Sequence, residues 1–144
     1  MIEVKVATSA NEELLADVNH LLPQLSTSAA PMTLEQLRNL LASSAVTLFV
    51  ATRDGRTVGM LTLAMFPIPT GTRAWIEDVV VDVDARGLGA GDLLTSTAVQ
   101  HAKGHGVMTV DLTSRPTREA ANALYRRVGF VQRETNVYRY SVED

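Results

Sequence analysis

Hydrophobic and polar residues recur along this chain with two periods, one typical of helices and one typical of strands. In the first third, leucines return every three or four residues in two stretches, and each follows a potential capping box, Ser9-x-x-Glu12 or Thr33-x-x-Gln36. The spacing predicts two amphipathic helices, preceded by a short strand at residues 2–8.

The middle of the chain changes to strand-like runs. Residues 46–52 and 57–66 are rich in β-branched and aliphatic side chains, and between them lies Asp54-Gly55, which tolerates the positive φ angles of a tight hairpin turn. A third run, residues 73–83, is dense in Val and Ile, which predicts a strand buried on both faces.

Helical spacing returns in the second half. Small and apolar residues predict a helix over residues 88–103, ended by glycines, and a strand over residues 107–112. A last helix begins near Pro116, and residues 130–133 and 136–142 form a candidate hairpin. Strand, helix and strand in this order imply a parallel crossover, so we expect a mixed α/β (α+β) fold.

Composition narrows the classes of function. The 144 residues are 46% hydrophobic and 20% charged, which predicts a single domain over residues 1–144. The chain has no cysteine, so a thiolate nucleophile and Cys-ligated metal sites are excluded. A net charge of −3 argues against nucleic acid binding, and the absence of signal-peptide order and of a long apolar run predicts a cytoplasmic protein without membrane contact.

The most informative segment is a glycine-rich loop between the third run and the next helix. The first N–H groups of a helix have no partners within it, and glycines let a phosphate approach without meeting Cβ atoms. The loop therefore predicts a site for a pyrophosphate-sized anion, with these candidate contacts: Arg86, Gly87, Leu88, Gly89, Ala90, Gly91 and Asp92.

The same loop is compatible with three other interpretations. A glycine turn required only for its backbone angles is the simplest. A dinucleotide fingerprint has a differently placed third glycine and normally lies at the first crossover. A nucleoside-triphosphate loop ends in Gly-Lys-Ser or Gly-Lys-Thr, whereas Gly91 is followed by Asp92.

Two motifs carry a family resemblance. The first is Arg-x-x-Gly-x-Gly, formed by Arg86, Gly89 and Gly91, and the second is Tyr-x-x-x-Gly-Phe, which ends at Phe130. Through both, the chain resembles the GCN5-related N-acetyltransferase (GNAT) family over essentially its whole length. The resemblance implies a mixed sheet of six to seven strands with about four helices, splayed at the acetyl-CoA site. It also implies direct acetyl transfer to a primary amine of a small molecule or peptide.

The resemblance assigns the chemistry to a few side chains. Tyr125 stands at the position of the acid that protonates the departing CoA thiolate, with core packing as its alternative role. Residues 76–81 resemble a strand of glucosamine-6-phosphate N-acetyltransferases, which makes Glu77 the first candidate base, through water, and Asp78 the second. An ion pair to Arg73 is the alternative role for either carboxylate.

Further cofactor contacts follow from the same resemblance. The backbone of Val79, Val80 and Val81 is expected to pair with the pantetheine amides, and Asn122 and Tyr125 are expected to contact the cofactor.

The sequence pattern also suggests where specificity arises and which other functions are possible. Residues 22–32 and 66–73 have the least regular pattern, so we expect them, or a partner subunit in a homodimer, to provide specificity. The alternative function is a noncatalytic acyl-CoA-binding sensor or interaction module. His101 and His105 are spaced like metal ligands, but no Glu follows His101, so no metal is expected.

Overall fold

A central sheet with helices on both faces forms the body of the computed structural model, which describes residues 1–143. The strands are β1 (Glu3–Val6), β2 (Val46–Arg53), β3 (Arg56–Ile68), β4 (Gly71–Val81) and β5 (Val110–Asp111). The helices are α1 (Glu12–Leu25), α2 (Leu34–Ala42), α3 (Ala90–Gly104) and α4 (Glu119–Val128), and a single 3-10 turn spans Val83–Ala85.

The sheet has the order β1-β2-β3-β4-β5. Neighbouring strands are antiparallel except β4 and β5, which are parallel, so the predicted mixed sheet and crossover helix are confirmed. Two of the local predictions behind this topology also hold. Asp54 and Gly55 have φ angles of 52° and 79° and form the β2–β3 turn, and Thr33 and Gln36 make both hydrogen bonds of the second capping box.

The predicted number of strands, six to seven, is wrong, because the sheet has five. Residues 130–133 and 136–142 were predicted as a hairpin, yet the structure places residues 130–143 in no helix or strand. Strand β5 pairs with β4 through only two residues, Val110 and Asp111, and no further strand pairs with β5 in the described chain.

The first capping box was also mispredicted. Helix α1 begins at Glu12, and its N-cap is Asn11, whose Oδ1 accepts a hydrogen bond from the N–H of Leu14 at 2.8 Å. Asn is as good an N-cap as Ser, and it stands two residues closer to the leucine stripe, so Ser9 is left outside the helix.

The hydrophobic core consists of two layers, one on each face of the sheet. Strand β2 shows the division, since Phe49 packs toward α3 while Leu48 and Val50 pack toward α1 and α2. The α3 layer has Leu94 at its centre, and the other layer has Leu21 from α1, both fully buried. The sheet therefore holds a fixed position between α1 and α3, the two helices that flank the candidate site.

Candidate active site

Strands β4 and β5 diverge soon after they meet. They pair only at Ala74–Val110 and Trp75–Asp111, after which β4 continues to Val81 while the chain beyond β5 turns toward α4. On the β5 side, residues 76–81 therefore have no neighbouring strand within the described chain. Such an edge offers backbone N–H and C=O groups to an extended ligand that carries amides.

A β-bulge interrupts β4 along this open edge. Glu77 pairs with Thr62 and Val80 with Met60, so two residues of β4, Asp78 and Val79, stand opposite one residue of β3. Asp78 has a φ of 51°, in the left-handed region that non-glycine residues rarely occupy and that costs of order 1 kcal/mol. A bulge leaves part of the backbone outside the ladder, and strained residues of this kind concentrate at functional sites.

The bulge also changes which way the following side chains point. Without it, Val80 would face the same side as Ile76, because strand residues alternate. Instead, Ile76 packs in the α3 layer and Val80 in the α1–α2 layer, with Val79 and Val81 against the α3 layer. The valines predicted to lie along the cofactor therefore use their side chains for packing and have their backbone on the open edge.

Neither candidate base is buried. The predicted burial of this strand on both faces is wrong at Glu77 and Asp78, which are exposed. The alternative ion pair to Arg73 does not form, because its guanidinium lies 3.6 Å from Asp111 and stacks near the Trp75 ring. Arg73 thus crosses from β4 to β5, and the two candidate carboxylates remain at the surface beside the gap.

The glycine loop leads from β4 into an uncapped helix start. Gly89 is the N-cap of α3, with a φ of 85° and no side chain to satisfy the first N–H groups, which leaves them available to an anion. Arg86 is exposed, and its Nε donates to the Val81 carbonyl at 3.4 Å. An open groove of about 490 Å³ runs beside this helix start, lined by Ile2, Leu88, Gly89, Asp92, Leu93, Ser96 and Val128.

Gly91 marks a close contact between the helix start and α4. A Cβ atom at this position would lie 2.6 Å from Cδ1 of Leu124 and 3.8 Å from Cγ2 of Val81. Strand β4, helix α3 and helix α4 therefore converge on Gly91, and Tyr125 directly follows the leucine that makes the contact.

Asp92 has a partner within the protein. Its carboxylate accepts hydrogen bonds from Nη2 and Nε of Arg127, at 2.8 and 3.1 Å, and this pairing lowers the pKa of Asp92. Asp92 was predicted to contact the cofactor. Its carboxylate is paired with Arg127, whereas its backbone N–H takes no part in that pair.

Tyr125 is partly buried on α4. Its ring meets that of Phe130 edge to face, with centroids 5.9 Å apart. Burial raises the pKa of the phenol, and the nearby charge of Arg118 partly opposes that rise. The phenol consequently keeps its proton at neutral pH, as a proton donor must, while the ring also serves packing.

Asn122 uses its side chain within the protein. Its Nδ2 donates to the carbonyls of Arg115 and Arg118, at 2.8 and 2.9 Å, and so fastens the loop after β5 to the start of α4. The predicted cofactor contact of Asn122 therefore gains no support from its position. Nothing in the sequence indicated this role.

Two further contacts were missed by sequence reasoning because they join distant segments. The Asp82 carboxylate bonds to Nε2 of His20 at 3.0 Å and accepts from the N–H of Asp84, which is the main cause of its lowered pKa. Gln24 reinforces the link by accepting from the Val83 N–H at 2.9 Å. Helix α1 is thereby attached to the start of the glycine loop.

The loop between α1 and α2, part of the segment 22–32 that is expected to provide specificity, is also anchored to α1. The Asn19 amide pairs with both backbone groups of Met32, accepting from its N–H at 2.8 Å and donating to its carbonyl at 3.0 Å. These two hydrogen bonds fix the end of the loop between α1 and α2.

The histidine pair stands apart from these groups. His101 packs edge to face on Phe49, and His105 bonds to the His101 carbonyl at 2.8 Å. Across residues 1–143, no three His, Asp or Glu side chains gather in a way that would hold a metal ion. Nor does any helix in that range combine the length and apolar character needed to cross a membrane.

Comparison with known proteins gives a consistent result. Residues 14–130 match the model of the acetyltransferase (GNAT) family. The chain is 33% identical to glucosamine 6-phosphate N-acetyltransferase 1 of Oryza sativa subsp. japonica, over 88% of this chain and 82% of the rice protein. It is 34% identical to mycothiol acetyltransferase of Thermomonospora curvata over 62% of this chain, but the match spans only 29% of that relative's length.

A solved structure supports the same fold. A protein from Agrobacterium tumefaciens described as a putative acetyltransferase superposes with a TM-score of 0.86, at 28% identity, over 96% of this chain and 99% of its own. The fold class predicted from the motifs is thereby confirmed, with five strands in place of six to seven.

Proposed function

This chain belongs to the GNAT acetyltransferase family, and from that membership we propose that it transfers the acetyl group of acetyl-CoA directly to a primary amine of a small molecule or peptide. The observation that carries the proposal is the convergence at Gly91 of the open β4 edge, the uncapped start of α3 and the helix that bears Tyr125. Together they offer backbone partners for amides, N–H donors for a diphosphate and a phenol for a leaving thiolate.

The residues present fit acetyl-CoA as cosubstrate. The N–H groups that follow Gly89 would bind the diphosphate, helped by the positive end of the helix dipole and by the exposed guanidinium of Arg86. The backbone of residues 79–81 would pair with the amides of the pantetheine arm. The groups used here are mostly backbone, which explains why glycines and an unpaired strand edge matter more than particular side chains.

Each step of the transfer has a candidate group. Glu77, through water, would take a proton from the acceptor ammonium so that the neutral amine can attack the thioester carbon. Backbone released from the ladder at the Asp78 bulge would stabilise the negative charge on the thioester oxygen. As the C–N bond forms and the C–S bond breaks, Tyr125 would give its proton to the thiolate. A phenol with a raised pKa and a thiol with a pKa near 8.5 make that transfer slightly uphill, so the acid acts as the sulfur departs.

Amino-sugar phosphates are the first acceptor class to test. The rice relative is named for glucosamine 6-phosphate, and it matches this chain over most of both lengths. The exposed Glu77 and the fixed end of the Asn19-anchored loop lie toward the α1–α2 side, where we propose the acceptor binds. The relatives named mycothiol acetyltransferase give a second acceptor class to test, precursors of mycothiol.

Release of free CoA thiol from acetyl-CoA, measured with a panel of amino-sugar phosphates, aminoglycosides, polyamines and amino-acid amides, tests the function. The proposal expects amine-dependent release by the native chain. Tight acetyl-CoA binding without release for any acceptor would favour the noncatalytic sensor, and binding of NAD in place of acetyl-CoA would contradict both.

We further propose that the chain acts as a homodimer in the cytoplasm. Support for the dimer comes from the carboxyl-terminal segment, where five apolar or aromatic residues are 73% to 89% exposed: Val131, Val137, Tyr138, Tyr140 and Val142. Apolar surface of this extent favours burial against another copy. Analytical ultracentrifugation tests the dimer by comparing the whole chain with a variant that lacks residues 135–144. Fractionation of cells that express the chain tests the location.

A further inference from the structure

Among the buried side-chain nitrogen and oxygen atoms in the described part of the chain, the hydroxyl oxygen of Ser114 has no hydrogen-bond partner. Buried hydroxyl groups in folded proteins nearly always have a partner, because water lost on burial must be replaced. An unpaired hydroxyl therefore calls for a partner that comes from outside the chain, either an ordered water or a ligand.

Ser114 follows the short pairing of β4 and β5. Ala74 pairs with Val110 and Trp75 with Asp111, so Asp78 lies three residues beyond the last pair on β4 and Ser114 three residues beyond it on the other segment. Residues 76–81 have no neighbouring strand on this side within the described chain, and equal distance from the last pair puts Ser114 on the β5 side of the gap that Asp78 borders on the β4 side. That gap is where the proposed function puts the acylated end of the pantetheine arm.

The loop that carries Ser114 is held in place. The N–H of Arg118 donates to the Arg115 carbonyl at 3.0 Å, and Nδ2 of Asn122 donates to the same carbonyl at 2.8 Å. The residue next to Ser114 is thus fastened to α4 by two hydrogen bonds. These bonds hold the backbone beside Ser114 in place, and the hydroxyl that it carries is enclosed without a partner.

We propose that the Ser114 hydroxyl donates a hydrogen bond to a carbonyl oxygen of the acylated pantetheine arm, opposite the Asp78 bulge. The inference rests on the proposed use of acetyl-CoA and adds a contact from the β5 side of the gap. The arm carries amide and thioester carbonyls, which are acceptors, and a serine hydroxyl is a donor that suits them.

The test compares Ser114→Ala with Ser114→Thr, which keeps the hydroxyl, and with Thr113→Ala, an exposed neighbour. Calorimetry measures binding of acetyl-CoA and of adenosine 3′,5′-bisphosphate, which lacks the pantetheine arm. For Ser114→Ala we expect the Kd of acetyl-CoA to rise about fivefold to tenfold, the Kd of the bisphosphate to stay unchanged, and the Tm of the free protein to stay equal or rise. The two control variants should bind acetyl-CoA like the parent.

Other results overturn the inference. If Ser114→Ala binds acetyl-CoA like the parent, the hydroxyl binds only water, and if both ligands weaken together, the residue merely shapes the loop. Failure of the proposed transfer has a separate signature, because the native chain would then bind acetyl-CoA without acetylating any amine. A native chain that binds no acetyl-CoA would contradict the contact and the function together.

Discussion

Arg127 at the end of α4 donates two hydrogen bonds to Asp92 in the first turn of α3, at 2.8 and 3.1 Å. The pair joins the helix that carries Tyr125 to the helix start that offers its N–H groups to an anion. In the proposed complex with acetyl-CoA, the pair would also neutralise a carboxylate near the phosphates. One ion pair thus contacts both elements to which we assign a function.

Replacing Arg127 with Ala is expected to weaken acetyl-CoA binding by a few-fold, and more at low salt than at high salt, because an unpaired Asp92 faces the anion site. The pair is largely exposed, so the unfolding free energy should change little. Calorimetry at two salt concentrations measures the effect. The double variant Asp92→Asn with Arg127→Ala should recover most of the affinity; a double variant weaker than Arg127→Ala alone would contradict this role.

Asp82 predicts a loss of stability in acid. Its pKa is lowered in the folded chain, chiefly by the Asp84 N–H and also by His20, so its stabilising contribution is present above the unfolded value near 4 and is lost as pH falls through the folded value. We expect Asp82→Asn to reduce the decline in unfolding free energy between about pH 5 and pH 2, measured by urea titration. Glu134→Gln, in the exposed terminal segment, serves as the control. An unchanged pH slope in Asp82→Asn would show that the bonds of the Asp82 carboxylate, to the Asp84 N–H and to His20, add nothing to stability.

Gly89 and Gly91 predict opposite outcomes for neighbouring substitutions. At Gly89 a Cβ would meet no atom within 4 Å, so Gly89→Val should strain the backbone at a φ of 85° and block phosphate approach while the fold persists. We expect acetyl-CoA binding to be lost and unfolding free energy to drop by roughly 1–2 kcal/mol. Calorimetry and thermal unfolding measure the two effects.

Gly91→Ala is the matched comparison, because its Cβ would overlap Leu124. Its cost should appear in stability and not in acetyl-CoA affinity, and it should be small, about 1 kcal/mol, because the end of the half-buried Leu124 side chain can move aside. Unchanged acetyl-CoA affinity in Gly89→Val would remove the assignment of this loop to the diphosphate.

Local patterns in the sequence predicted the elements that depend on local chemistry. Asp54-Gly55 forms the turn it predicts because both residues tolerate positive φ, and Thr33 caps its helix because the matching Gln36 lies three residues on. The uncapped helix start after Gly89 follows in the same way from the glycines. Features of this kind need no knowledge of distant partners.

What the sequence could not reveal depends on contacts between distant segments. The bulge at Asp78 arises from the register between β3 and β4, and no residue type near it announces a left-handed φ. The pairing of Asp92 with Arg127 requires α4 to pack on α3. The hairpin predicted for the terminal segment was wrong because alternation of side chains shows only that a strand is compatible with the sequence, and residues 131–143 are exposed and pair with no other segment.

We propose that Tyr125 protonates the departing thiolate in a direct transfer. The kinetics of Tyr125→Phe decide whether it does. The change removes the phenol proton and keeps the ring that packs against Phe130. With an amine accepted by the native chain, we expect kcat for CoA release to fall by about 10²-fold or more, while the Kd of acetyl-CoA stays within about twofold. A kcat equal to that of the native chain would contradict the account and leave Tyr125 as a packing residue.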